Sequence, residues 1–112
     1  MDLGLKGRTC AVTGASRGIG AETARQLCAE GADVLLVARG EERLREVQEE
    51  AVGAGAKSGG RAAVLALDVT LADAGERILA TASEYFGGLD VLVNNAGAAS
   101  WRDLDDVPDE DW

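Results

Sequence analysis

A chain of 112 residues amounts to one domain, and its 46% hydrophobic and 28% charged residues are incompatible with intrinsic disorder. A net charge of −9 argues against nucleic-acid backbones and anionic membrane surfaces as partners. Histidine is absent, which excludes Ser-His-Asp hydrolysis, Cys-His nucleophiles and the zinc-protease helix.

From the N-terminus, the opening Met-Asp-Leu-Gly-Leu-Lys-Gly-Arg has no apolar stretch of the secretory kind, so a cytoplasmic protein is expected. No apolar run approaches the ~20 residues of a membrane helix. Cys10 and Cys28 are too few and too far apart for a zinc cluster or a disulfide framework, and read as reduced core residues.

Four short apolar runs follow, over residues 9–13, 33–38, 62–67 and 90–93, with starts 24, 29 and 28 residues apart. That matches the ~30-residue period of a strand-helix-strand unit. Each run is continuous, not alternating, which predicts strands covered on both faces.

The segments between them have helical period. In the first, Ile19, Thr23 and Leu27 form a stripe with Ala24 and Cys28 beside it. The second carries Leu44, Val47 and Ala51 on one face, and the third, roughly 71–86, groups Ile78, Leu79, Ala82 and Phe86. Gly31 and Gly87 stand where a helix C-terminus wants a left-handed residue. Residues 53–60, Gly-Ala-Gly-Ala-Lys-Ser-Gly-Gly, read as a flexible connector. Alternating strands and helices with right-handed crossovers predict an α/β fold, a Rossmann-like doubly wound parallel sheet. No second domain is visible.

The 15 glycines exceed the roughly eight expected at average usage, and three of them cluster after the first apolar run, in Thr13-Gly14-Ala15-Ser16-Arg17-Gly18-Ile19-Gly20. Gly14 lets the strand turn sharply, Gly18 lets backbone approach a pyrophosphate, and Gly20 lets the helix pack closely. The amides of the turn, with the positive end of the helix dipole, then face phosphates. An ordinary glycine turn is the competing reading.

Residues 13–20 match the T-G-x-x-x-G-x-G turn of the short-chain dehydrogenase/reductase family, which the chain resembles from about residue 7 to 112. Asp68-Val69 ends the third apolar run, where the family's aspartate and its successor contact the adenine. Asn94-Asn95-Ala96-Gly97 ends the fourth, matching the N-N-A-G segment that steadies the sheet and lines the cofactor cleft. The resemblance is strongest to 3-oxoacyl-carrier-protein-reductase-like ketoreductases. It implies strand order 3-2-1-4 with three helices and cofactor contacts at Gly14, Ser16, Arg17, Gly18, Ile19, Gly20, Arg39, Asp68, Val69, Asn95, Ala96 and Gly97. Asp68 could instead cap the third helix, and Asn94 and Asn95 could be turn formers only.

Cofactor choice is read at the end of the second run. An NAD-type site places Asp or Glu there for the ribose 2′-hydroxyl, whereas this chain has Ala38 followed by Arg39. Arg39 and Arg17 can bond a 2′-phosphate, and the resemblance associates a basic residue at either position with NADP(H). A charge-assisted hydrogen bond of roughly 1.5–3 kcal/mol would give about 10- to 150-fold discrimination. The alternative is that both arginines only solubilise the surface.

The resemblance implies hydride transfer to a carbonyl or from an alcohol, with acid/base chemistry from a Tyr-x-x-x-Lys pair, a serine and a relay asparagine. None of these carries over: Tyr85 has Leu89 four residues later, and the only lysines are Lys6 and Lys57. No catalytic residue and no metal ligand is therefore assigned. Pro108, Asp109 and Glu110 read as the first turn of a further helix, although residues 103–112, with six acids and no base, could also form an acidic tail. Trp101 and Trp112 are expected near the substrate side. The expectation is the NAD(P)-binding part, residues 1–112, of an NADP(H)-dependent reductase acting on a small carbonyl or alcohol. The catalytic half lies outside it, the fourth strand is an open apolar edge, and the full-length protein is homo-oligomeric. The rival is a non-catalytic dinucleotide-binding or interaction module. An adenosyl-methionine methyltransferase shares the glycine turn but wants an acid where Ala38 and Arg39 stand.

Overall fold

The structure, a computed structural model, describes residues 4–95. Four parallel strands, β1 (Thr9–Thr13), β2 (Asp33–Ala38), β3 (Arg61–Ala66) and β4 (Val91–Val93), form one sheet in the order β3-β2-β1-β4. Helices α1 (Gly18–Ala29), α2 (Glu41–Ala54) and α3 (Ala74–Phe86) connect them. The expected doubly wound topology, strand order and helix count are all present.

The continuous apolar runs have a simple origin in the central strands. Side chains alternate across a strand, and both faces of this sheet are covered. Cys10, Val12, Val34, Leu36 and Ala38 enter the cluster under α1 and α2, with Ala21, Ala24, Cys28, Leu44, Val47 and Ala51. Ala11, Leu35, Val37 and Ala63 face α3 instead, against Ala74, Ile78 and Ala82. Every residue of β1 and β2 is buried.

The outer strands depart from that pattern. In β3 only Ala63 is buried, and in β4 Val91 and Leu92 are 38% and 53% exposed. An apolar run marks a doubly covered strand only where it has neighbours on both sides. These two are edge strands among the described residues, in keeping with an open apolar edge at β4. Their ends are fixed by ion pairs and polar bonds. Arg61 donates through Nε and Nη2 to Asp33 at 2.9 and 2.8 Å and lies 5.1 Å over the Phe86 ring. The Thr9 amide donates to Asp90 Oδ2 at 2.8 Å.

Three helix expectations need correction. The buried face of α1 is Gly20, Ala21, Ala24 and Cys28, small residues that bring the helix close to the sheet. Ile19 is 77% exposed, so the stripe that it begins is not the core face. Leu79 is 52% exposed on α3, whose buried residues are Ala74, Ile78 and Ala82. The stretch 53–60 is no loose connector: its first two residues finish α2, and the rest docks on the end of α1. Ser58 Oγ donates to the Cys28 carbonyl at 3.2 Å, and a Cβ on Gly60 would overlap that same oxygen. Gly31 and Gly87 take the expected positive φ, 94° and 88°.

Candidate functional site

A cleft of about 850 Å³ opens at the C-terminal ends of the strands, which is where open α/β sheets bind ligands. Gly14, Ser16, Arg17, Ile19, Gly20, Arg39, Asp68, Val69 and Asn95 all line it. Ala96 and Gly97, with Trp101, Trp112 and the helix start expected at Pro108, lie outside the described residues.

The floor is the β1–α1 turn. Gly14 has φ 63° and Gly18 has φ 61°, a left-handed conformation costly to any residue with a Cβ. Between them Ala15 is fully buried, its amide donating to the Val37 carbonyl at 3.2 Å. Space constrains Gly18 and Gly20 in opposite ways. A Cβ on Gly18 would meet nothing within 4 Å, so that backbone faces open space, although Gly18, alone of the expected contacts among the described residues, does not line the cleft. A Cβ on Gly20 would overlap the Gly14 carbonyl oxygen and sit 2.8 Å from its carbon. Gly20 is thus required by the turn folding back on itself. The amides of Gly18, Ile19 and Gly20 form the first turn of α1, where no intrahelical carbonyl precedes them. Unpaired first-turn amides of this kind can accept an anion. Ile19 is exposed because it lines this cleft.

The wall by β4 depends on a residue read only as part of a motif. The Thr13 hydroxyl, 3% exposed, accepts from the Asn95 amide at 2.8 Å and donates to Asn94 Oδ1 at 2.9 Å. One side chain therefore ties the end of β1 to the end of β4, beside the cleft. Thr13→Val is nearly isosteric and leaves the Asn95 amide without that acceptor. It is expected to cost about 1–3 kcal/mol in urea unfolding, whereas Thr13→Ser, which keeps the hydroxyl, should lose less than half as much. Equal losses in the two variants would assign the effect to packing.

The opposite wall carries the charge. Ala38 at the end of β2 is 8% exposed and presents no polar atom from its side chain. Arg39 follows, 77% exposed, with Nη1 3.6 Å from Asp68 Oδ2. Asp68 Oδ1 accepts from the Thr70 hydroxyl at 2.6 Å and the Thr70 amide at 2.9 Å. The Thr70 hydroxyl, then its amide, and to a lesser extent Arg39 hold the Asp68 carboxyl below the usual carboxylate range. The cap reading of Asp68 fails, because α3 begins at Ala74 with Asp73 as its N-cap. Leu67, Thr70, Gly40 and Arg43 line the cleft as well. The Asp-x-Thr spacing could have identified Thr70. Arg43 needed the start of α2, which periodicity does not locate. Three arginines and one carboxylate line the cleft in a chain of net charge −9.

A family model described as short chain dehydrogenase matches residues 8–112. The chain is 46% identical to the short-chain reductase protein NovJ of Streptomyces niveus over 101 residues, 90% of this chain and 37% of that one. It superposes on L-sorbose reductase of Gluconobacter frateurii, solved with NADPH and L-sorbose, with TM-score 0.77 and 38% identity over 88% of this chain and 36% of that one. A metagenomic short-chain oxidoreductase solved in complex with NADP gives TM-score 0.74 and 47% identity over 84% of this chain and 41% of that one. The chain therefore spans less than half the length of these relatives.

Proposed function

This chain belongs to the short-chain dehydrogenase family, and from that premise we propose that it forms the NADP(H)-binding portion of a reductase acting on a carbonyl or alcohol. The observation that carries this reading is the mouth of the cleft at β2. Ala38 stands where an NAD-type site needs a carboxylate, and Arg39 and Arg17 line the same space.

The residues present fit such a cofactor. A cleft of about 850 Å³ is within the ~300–1,000 Å³ of small-molecule sites. The first-turn amides of α1 and Ser16 would hold the pyrophosphate, with Gly18 leaving room for it. Asp68 and Val69 would flank the adenine, and Arg17 and Arg39 would take the 2′-phosphate. Asn95, with Ala96 and Gly97, would line the nicotinamide side. When bound, the nicotinamide supplies or accepts the hydride.

This chain's own part in the reaction is binding and orientation. Thr13 and Asn95 keep β1 and β4 in register beside the cleft, and buried Ala15 fixes the turn whose amides meet the phosphates. The acid/base pair is assigned to no residue here, since Tyr85 sits on α3 with Leu89 four positions on. Residues 1–112 are thus the dinucleotide-binding portion, inactive by themselves. The full-length protein is proposed to be a cytoplasmic homo-oligomer that takes a ketone or 3-oxoacyl substrate, without nucleic acid or membrane as partner. Among the described residues no helix is long and apolar enough to cross a membrane.

Fluorescence titration of the full chain with NADPH and NADH tests the reading. NADPH is expected to bind at least about 10-fold more tightly. Equal affinities, or no binding of either, would overturn it. NADPH binding in a full-length protein that reduces no carbonyl would favour the non-catalytic module.

A further inference from the structure

We propose that Thr70 is a positioning residue for base recognition: it fixes the Asp68 carboxylate so that the cleft takes a purine presenting an amino group in preference to one presenting a carbonyl. This rests on the dinucleotide reading of the cleft and names how one of its walls would select the base.

The backbone on either side of Asp68 is already anchored. Leu67 is buried and its amide donates to the Ala38 carbonyl at 2.8 Å, while the Leu71 amide donates back to the Asp68 carbonyl at 3.1 Å. These bonds leave open the side-chain torsions of Asp68, which is half-buried in the cleft wall. Thr70 closes that freedom. Its hydroxyl donates to Asp68 Oδ1 at 2.6 Å, within the range of a charge-assisted O–H bond, and its amide donates to the same oxygen at 2.9 Å. An ionised carboxylate offers about two acceptor sites on each oxygen, so Thr70 fills both sites of Oδ1. Oδ2 remains as the acceptor on the side of Arg39, another lining residue, whose Nη1 is 3.6 Å away. Arg39 is a poor substitute for Thr70, because it stands farther off on a side chain 77% exposed, where an ion pair holds little.

A carboxylate accepts hydrogen bonds and donates none. Held in place, Oδ2 favours an exocyclic amine and repels a carbonyl oxygen, which is the difference between adenine and hypoxanthine. A carboxylate free to rotate would turn away from the carbonyl, and the discrimination would fall.

The test is titration of the full chain with NADPH and with its analogue carrying hypoxanthine in place of adenine. The parent is expected to bind NADPH about 10-fold more tightly than the analogue. Thr70→Val keeps the amide bond and loses the hydroxyl, and should raise the NADPH Kd about 5-fold while leaving the analogue within about 2-fold. Thr70→Ser should restore most of the loss. In an Asp68→Ala background Thr70→Val should change nothing further, since the two side chains act as one unit. Without ligand, the Asp68 carboxyl should titrate at higher pH in Thr70→Val than in the parent, followed by carbon NMR. The hydroxyl is the largest of the influences that lower it, and Arg39, its charged neighbour, is retained. Thr70 is exposed, so melting should not change; should Thr70→Val fold poorly, Thr70→Ala is read in the same comparison. The inference fails, and the site reading stands, if Thr70→Val weakens both ligands alike, weakens NADPH as much in the Asp68→Ala background, or leaves the carboxyl titration unmoved. A parent that binds both bases equally while still preferring NADPH to NADH has the same consequence. A parent that binds no dinucleotide, or NADPH and NADH alike, would remove the site reading itself.

Discussion

Gly20→Ala is expected to destabilise the chain by about 3 kcal/mol or more and to abolish dinucleotide binding. Overpacking typically costs about 1–3 kcal/mol, and this site belongs at the upper end because every atom met is backbone. The new Cβ would overlap the Gly14 oxygen and lie 2.8 Å from Gly14 C and 3.2 Å from Ala15 Cα. That segment has little freedom to yield. Ala15 is buried with its amide on the Val37 carbonyl, and Thr13 just before it is bonded to the end of β4. Relief must come from displacing α1, which lifts Ala21, Ala24 and Cys28 from the sheet. Gly18→Ala separates the two effects. Its Cβ meets nothing, so it loses only the ~1–2 kcal/mol of a left-handed alanine, yet on the proposed reading its methyl would stand against the phosphate that the neighbouring first-turn amides hold. Urea unfolding and NADPH titration should therefore show Gly20→Ala failing in both, and Gly18→Ala failing chiefly in binding. A Gly20→Ala protein that melts like its parent would show that the turn relaxes and that the close approach is not structural.

The legible part of this fold is its centre. β1 and β2 are buried on both faces, so apart from Asp33, whose charge Arg61 meets, their residues are apolar or small, and the runs at 9–13 and 33–38 are sufficient to place them. The same inference failed at β3, because an edge strand has the composition of a buried one without its cover. Helix faces depart from the usual hydrophobic stripe where a cleft or close packing overrides it. Ile19 is apolar and exposed because it borders a cleft, while Ala21 and Ala24 form the buried face because small side chains let α1 approach the sheet. Gly60 looked like linker, since nothing in its neighbours betrays that the Cys28 carbonyl, 32 residues earlier in the chain, lies against it. Within the site, the residues found were those tied to glycine conformation or to a strand's end. Thr13 and Arg43 carry no local signal, because one bonds across 82 positions and the other reaches the cleft through the rotation of a helix whose start periodicity does not locate.

Arg39→Ala is expected to raise the Kd for NADP(H) about 10-fold, the lower end of the range for a charge-assisted bond, and to leave NAD(H) within about 2-fold. The lower end follows from geometry: the side chain is 77% exposed, so water and salt screen it. Selectivity follows from Asp68. Thr70, more than Arg39, holds that carboxyl below its usual range, so removing Arg39 leaves Asp68 ionised and its bonds to Thr70 intact. Whatever Asp68 does for the half of the cofactor common to both dinucleotides therefore survives. Ala38→Asp attacks the same discrimination from the other side, placing a carboxylate against the 2′-phosphate and in reach of a 2′-hydroxyl, and should invert the preference. Acid should narrow it too. The phosphate loses its second charge near pH 6, and Asp68 stays ionised because its pKa is lowered, not raised. The NADPH advantage should therefore shrink between pH 8 and pH 5 in the parent chain and change less in Arg39→Ala. Titrations in which Arg39→Ala weakens both dinucleotides equally would show that the arginine shapes the cleft wall and does not read the phosphate.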